Sequence, residues 1–498
     1  MWGFANLTCA NSGPLEWGIF DPQTMQFVHR TIEPAPAGEM FCSAHAWTRD
    51  GRLVVAGGTS ACPGDIGSNE VYVFDPNLAG FPNGLWIRQN AKLLRKRYYP
   101  TVIASTDGTT ERFLVIGGGI GVLNFQGTDW QDYESFVPAA AGQFSQGSFE
   151  KRIDQGTLVQ WFAGPSDPLV LARSYQYARV YQISTGQQFV AGMQVQASRA
   201  FHPAVSAASW TLMALQPYFR EYGSSVRFPN FTNNHEDTIV VIGGSSSQAG
   251  IGSALQPLSS MQWCRASAPG PGAWPIGWDW SPVGTPCGQS LSPGALRPLN
   301  HPRASFNVTI LPNGGLLAVG GQSAGAPWSG GNPTPVLIPE LYEGGCWSDM
   351  EAEPSMRDYH STSLLLPNGY VYSGGGEHRT ADFGIFVPPK LACGDPRPSF
   401  GDPAPPSVMT YNTGYAINFK MDEGSAVTKV VLMRPGSQTH HWDADQQYVE
   451  MLATTAIGAP TLTFTTPANY TKARQGYWMM FLVSNQGVWS EAHWVQLP

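Results

Sequence analysis

The chain has 498 residues; only 13% are charged, aromatics reach 12%, and it holds 56 Gly, 41 Pro and 17 Trp. It is too long for one ordinary domain, too aromatic for a disordered chain and too rich in turn formers for many long helices. A net charge of −8 without an extended Lys/Arg cluster argues against nucleic-acid or anionic-membrane binding, and no run of about 20 apolar residues could span a bilayer.

At the N-terminus, residues Met1 to Asn6 have neither a basic n-region nor an apolar h-region, so no signal peptide is read there. The sequence is expected to start at or inside the mature protein. Asn-x-Ser/Thr sequons at Asn6, Asn230, Asn307 and Asn469 suit a secreted, extracellular chain. The seven cysteines are Cys9, Cys42, Cys62, Cys264, Cys287, Cys346 and Cys393; none has Cys-x-x-Cys spacing, so a zinc cluster is not expected. Three disulfides and one special cysteine is the simplest account of the odd count, with Cys264–Cys287 the first choice of bridge. Arg95-Lys96-Arg97, the densest basic run, reads as a solvated strand edge.

One phrase then recurs along the chain: a turn, a β-rich apolar run, and Gly-Gly. It runs from Asp50 to Gly58, Arg112 to Gly118, Asp237 to Gly244, Asn313 to Gly321 and Asn368 to Gly375. Each copy fits a buried strand ending where only glycine lets backbones approach closely. A degenerate copy is expected between Leu169 and Tyr181. Kelch-type repeats run about 50 residues. The fold class predicted is therefore all-β, a kelch-type β-propeller of six or seven four-stranded blades over residues 1–390. Beyond it, the prolines at 388–389, 396, 398, 403 and 405–406 make a stiff linker. Alternating runs at Ala416–Phe419, Val427–Leu432, Thr461–Phe464 and Tyr477–Val483 predict a C-terminal immunoglobulin-like β-sandwich over 391–498.

Ten histidines are the candidate metal ligands; none belongs to a His-Glu-x-x-His helix motif. Imidazole nitrogens combined with phenolate oxygens would suit Cu(II). Four separated strings make the chain recognisable. They are Met40-Phe41-Cys42-Ser43; Arg97-Tyr98-Tyr99-Pro100; Arg357-Asp358-Tyr359-His360-Ser361; and Gly436-Ser437-Gln438-Thr439-His440 with Asp445-Gln446. In these the chain resembles the galactose oxidase/glyoxal oxidase family of copper-radical oxidases.

The resemblance implies one copper ion and a protein-derived Cys42–Tyr99 thioether radical cofactor. It implies Tyr99, Tyr359, His360 and His440 as copper ligands, with His440 delivered by a loop of the C-terminal domain; His441 is the neighbour to which a one-residue shift would move that role. Taken alone, Cys42 could equally be a half-cystine. Tyr98 departs from the Gly or Trp of family members. The implied reaction oxidises a primary alcohol or aldehyde with O2 to give aldehyde or acid and H2O2. Tyr359 takes the hydroxyl proton, and the Tyr99–Cys42 radical takes a hydrogen atom from carbon.

Gly325-Ala326-Pro327-Trp328 resembles a family segment at the pocket rim and makes Trp328 a candidate substrate contact; Trp130 and Trp161 are candidate shields of the radical. A small alcohol, aldehyde or carbohydrate and O2 are the expected partners, and a monomer is expected. Residues 144–151 and 227–234 depart from the family's galactose-binding pattern, which favours a glyoxal-oxidase-like or general alcohol oxidase. Two other readings compete. One is a non-catalytic glycan- or protein-binding propeller with a vestigial metal site. The other is a propeller hydrolase using carboxylates such as Glu134, Asp154 or Glu377.

Overall fold

A computed structural model describes residues 16–22, 24, 26–31, 39–59, 67–78, 84–119, 133–140, 147–152, 177–191, 197–201, 211–215, 220–227, 237–246, 256–265, 297–327, 332–378, 382–422, 425–453 and 460–498. These residues are all-β apart from a four-residue helix, Pro389–Ala392. No helix among them is long and apolar enough to cross a membrane.

Besides two-stranded sheets at Glu16–Asp21/Gln26–Thr31 and Gln322–Ala324/Thr334–Pro335, the strands up to residue 386 form six larger sheets in chain order. The first joins Glu39–Trp47, Leu53–Thr59, Val71–Asp75 and Leu85–Arg88; the second joins Thr101–Thr106, Glu111–Ile116, Tyr133–Val137 and Ser148–Arg152. The third is Arg179–Gln182, Gln188–Ala191, Ala197–Phe201 and Thr211–Leu215, and the fourth is Ser224–Arg227, Thr238–Ile242 and Met261–Arg265. The fifth is Asn307–Ile310, Leu316–Val319, Glu340–Glu343 and Cys346–Asp349, and the sixth is Ser361–Leu365, Val371–Gly375 and Phe383–Phe386. Of the expected degenerate copy, Arg179–Gln182 is a strand of the third sheet, whereas Leu169 to Leu171 lie outside the described residues.

The chain divides into two compact units: Met1–Val180 with Phe201–Thr211, and Tyr181–Ala200 with Leu212–Pro498. In the first unit, Val54, Ala56, Val71, Val73, Val102, Phe113, Val115 and Phe136 make one apolar core. In the second unit, the C-terminal strands form two sheets. Gly414–Lys420 lies between Ser399–Phe400 and Thr461–Thr465; Val427–Met433 and Gly476–Ser484 are the inner pair of the other, flanked by Tyr448–Leu452 and His493–Leu497.

Strand alternation gives the inner pair two buried faces. Val430, Leu432, Met480 and Leu482 meet Ile417, Phe419, Leu462 and Phe464 of the facing sheet. Val431, Met433, Met479 and Phe481 join a cluster with Val308, Leu317, Val319 and Val371. Hence this run reads as continuously apolar rather than alternating.

A second repeat underlies the Gly-Gly one. Arg97, Arg220 and Arg303 are fully buried just before the first strands of the second, fourth and fifth sheets. Each donates from Nη1 to the first glycine of its own sheet's pair: to the Gly117 carbonyl at 2.6 Å, Gly243 at 2.8 Å and Gly320 at 2.9 Å. Two residues after each arginine the backbone turns left-handed, at Tyr99 (φ 57°), Tyr222 (φ 56°) and Ser305 (φ 58°). Extending the hairpin registers sets Tyr99 opposite Gly118, Tyr222 opposite Gly244 and Ser305 opposite Gly321. Cys42 (φ 58°) falls opposite Gly58 in the same way. The glycines are required by close approach: a Cβ on Gly57 would lie 2.6 Å from the Arg97 carbonyl oxygen, and one on Gly320 would collide with that of Arg357.

Three sequence expectations are corrected. The Arg95-Lys96-Arg97 run is not a solvated edge, because Arg97 is buried against Glu134 (N···O 3.1 Å) to satisfy carbonyls at the strand ends. Three disulfides cannot form: Cys42 and Cys393 are both outside disulfides, which leaves five cysteines and at most two bridges. Cys346 is disulfide-bonded, while the proposed Cys264–Cys287 pairing lies outside what is described. Asn307 is no surface sequon; it is buried and its Nδ2 donates to Ser361 Oγ at 2.8 Å, whereas Asn469 is exposed.

Candidate metal centre

In the first unit, Cys42 and Tyr99 are neighbours through the backbone. The Tyr99 N–H donates to the Cys42 carbonyl at 3.2 Å, and both residues hold the left-handed conformation described above. Cys42 is buried, and its thiol donates to the Tyr98 hydroxyl oxygen at 3.5 Å. Two other rings lie against that of Tyr99: Tyr98 stacks on it at 4.1 Å between centroids and Tyr177 tilts against it at 4.8 Å. Tyr177 is fixed at both ends. Its N–H donates to the Tyr99 carbonyl at 2.9 Å and its hydroxyl to the Ser43 carbonyl at 3.1 Å. Neither aromatic neighbour was foreseen as such. Tyr98 precedes Tyr99 in sequence, but nothing there pairs Tyr177 with it.

In the second unit, Tyr359 and His360 lead into Ser361–Leu365. His440 sits in a loop over residues 436–446, and the fold brings the three rings together. Centroids are 3.9 Å apart for Tyr359–His360, 5.3 Å for Tyr359–His440 and 4.8 Å for His360–His440; His441 lies 5.7 Å from Tyr359. Tyr222 meets the Tyr359 ring edge-on at 5.5 Å. It stands two residues after Arg220 as Tyr99 stands after Arg97, a spacing that could have flagged it.

The loop is held from several strands. Ser224 Oγ donates to the His441 carbonyl at 2.9 Å, and the Ser363 N–H donates to Gln438 Oε1. The Gln446 side chain accepts from the Ile310 N–H at 2.6 Å and donates to the Val308 carbonyl at 3.2 Å, standing in for a strand partner. Trp442 Nε1 donates to the Tyr181 hydroxyl at 2.9 Å. Inside the loop, Asp443 Oδ1 accepts the N–H groups of Ser437, Asp445 and Gln446 at 2.7, 3.0 and 2.9 Å. Burial pushes the Asp443 carboxyl up to about 6 despite those donors. His440 (φ 48°) and His441 (φ 69°) are consecutive left-handed residues, and His360 is a third (φ 68°). Such residues cost of order 1–3 kcal/mol each and cluster at functional sites.

The donor set of the second unit fits a metal ion. His360 Nδ1 is engaged by Glu377 Oε2 at 2.7 Å and His440 Nδ1 by Thr439 Oγ1 at 2.7 Å, so each ring can offer Nε2. Two imidazoles and a phenol oxygen are ligands suited to copper. Two carboxylates of the hydrolase reading are otherwise engaged: Glu134 with buried Arg97, and Glu377 with His360. Asp154, Trp130, Trp161 and Trp328 lie outside the described residues.

Comparison with known proteins places the C-terminal region in a class. Residues 397–497 match the family "Galactose oxidase-like, Early set domain". Two galactose oxidases of Gibberella zeae are each 32% identical over 39% of this chain; the match spans 29% of their own length. An aldehyde oxidase of Arabidopsis thaliana is 22% identical over 92% of this chain and 71% of its own. A solved fungal alcohol oxidase of the AA5 family in complex with copper superposes with a TM-score of 0.73, at 20% identity, over 98% of this chain and 92% of that one. The likeness to the galactose oxidase/glyoxal oxidase family, first read from four short strings, is thus borne out.

Proposed function

We propose that this chain is a secreted copper-radical oxidase that converts a primary alcohol or aldehyde and O2 to an aldehyde or acid and H2O2. The observation that carries the reading is the meeting of Tyr359, His360 and His440, contributed by segments some 80 residues apart, with Nδ1 of both imidazoles already committed. The six chain-ordered sheets support a kelch-type propeller over 1–390, and the paired C-terminal sheets a sandwich over 391–498.

In this reading His360 and His440 would hold one copper ion through Nε2, with Tyr359 and Tyr99 the further ligands that the family likeness implies. Bound copper supplies a one-electron acceptor and an acidic position for the substrate hydroxyl. The Tyr359 oxygen accepts the hydroxyl proton. Tyr99, once joined to Cys42 through a thioether, would take the hydrogen atom from the adjacent carbon. An alcohol thereby loses two electrons and two protons, and O2 gains both as H2O2. Tyr98, stacked on Tyr99, and Tyr177, tilted against it, hold that ring in place.

Copper-loaded full-length protein tests this directly. The expected result is one copper per chain, a cross-linked Cys42/Tyr99 peptide two hydrogens lighter than the sum of its parts, and H2O2 release on at least one of a panel of primary alcohols, glycerol, sugars and glyoxal. Copper bound at full occupancy with no cross-link and no peroxide on the whole panel would overturn the oxidase reading in favour of a binding propeller.

A further inference from the structure

Glu377 is absent from the strings that carry the family likeness, yet the fold delivers it to His360. The hairpin Ser361–Leu365/Val371–Gly375 pairs Ser361 with Gly375. Continuing that register past the sheet sets the tripeptide Asp358-Tyr359-His360 beside Gly376-Glu377-His378. The two tripeptides interlock. The fully buried Asp358 accepts the Glu377 N–H on Oδ1 at 2.8 Å and bonds His378 Nδ1 through Oδ2 at 2.5 Å. Gly376 (φ 135°) permits the approach, since a Cβ there would lie 2.6 Å from Asp358 Oδ1. With its backbone held in this way, Glu377 reaches back and sets Oε2 2.7 Å from His360 Nδ1.

We propose that Glu377 is the positioning residue of the metal centre: it fixes His360 as the Nδ1–H tautomer, aims Nε2 at the metal, and makes the ring a stronger donor to Cu(II). This rests on the copper reading above. The physical reason is general. A carboxylate accepting the second N–H of a ligating imidazole sets the ring's orientation and raises its basicity, and losing such a partner weakens metal affinity roughly 10–100-fold. At His440 the Thr439 hydroxyl, a neutral partner, meets Nδ1. A carboxylate on His360 Nδ1 and a hydroxyl on His440 Nδ1 make the two imidazoles unequal donors.

Cu(II) titration of metal-free full-length protein against a competing chelator, with electron paramagnetic resonance of the loaded protein, tests this. Glu377→Ala should lose roughly 10–100-fold in Cu(II) affinity and shift the copper hyperfine splitting. Glu377→Gln keeps an oxygen acceptor without the charge and should fall between Ala and wild type. The melting temperature of the metal-free variants should match wild type, which separates positioning from a role in folding. Cu(II) affinity and spectra of Glu377→Ala indistinguishable from wild type would overturn the inference while leaving the copper reading intact. A wild-type chain that binds no copper would overturn both.

Discussion

Tyr359 is set among three imidazoles, with Tyr222 against its edge, and this crowding fixes where its hydroxyl can point. Phenylalanine would keep those ring contacts and delete only the oxygen. Tyr359→Phe is therefore expected to lower kcat roughly 10²–10⁴-fold, the range for removing a general base, while the metal-free protein melts as wild type does. Steady-state peroxide assays and calorimetry together check it. The juxtaposition of Tyr359 with His360 is legible in sequence because they are adjacent, and His440 could be added only through family likeness. Glu377 was legible to neither route as a partner of His360. Its position follows from a register extended beyond the last sheet hydrogen bond, and a single carboxylate after a Gly-rich run carries no pattern. Left-handed backbone at Cys42 and Tyr99 was equally invisible, since neither is a residue type that favours it, and at His360 and His440 the residue type gives only a weak bias toward it.

The loop over 436–446 is the element that makes a site out of separate strands. Gln446 bonds the two backbone groups that Ile310 and Val308 present to it, so Gln446→Ala leaves both without that partner. A loss of about 1–3 kcal/mol is expected, read as a lower urea midpoint with unchanged slope.

Asp443 adds a pH signature. Its carboxyl is raised by burial to about 6, against an ordinary value of 3.8, so the folded chain holds that proton more tightly than the unfolded chain does. Its contribution is fully present below the unfolded value and is lost as pH rises from about 4 to about 6, amounting to roughly 3 kcal/mol. Asp443→Asn keeps Oδ1 for its three N–H donors and removes the titration. Between pH 4 and 7 the metal-free Asn variant should gain stability relative to wild type as pH rises. A constant difference between them across that range would contradict the assignment. Asp445-Gln446 was noticed in the sequence as a string; that the glutamine replaces a strand partner is a tertiary fact with no local signal.

At the scale of the whole molecule, the second, fourth and fifth sheets are each tied by a buried arginine to the first glycine of their own pair. Arg303 and Glu340 are fully buried and 2.6 Å apart, and Glu340 also accepts the N–H groups of Asn300 and His301. Glu340→Ala would strand a guanidinium in the interior, and a loss of about 3–5 kcal/mol is expected by chemical denaturation, with Glu340→Gln partly restoring it. The Gly-Gly half of this repeat was readable because close approach leaves glycine little alternative. The arginine half was not, because charge in a sequence signals solvent; at Arg97 the Gly117 carbonyl and the buried Glu134 carboxylate overrode that rule.

His440 arrives late in synthesis. A nascent chain halted on the ribosome near residue 430 would hold Tyr359 and His360 but lack the second imidazole. On the copper reading, metal capture then waits until synthesis has passed His440. A prematurely terminated product would stay redox-silent rather than become a source of uncontrolled peroxide.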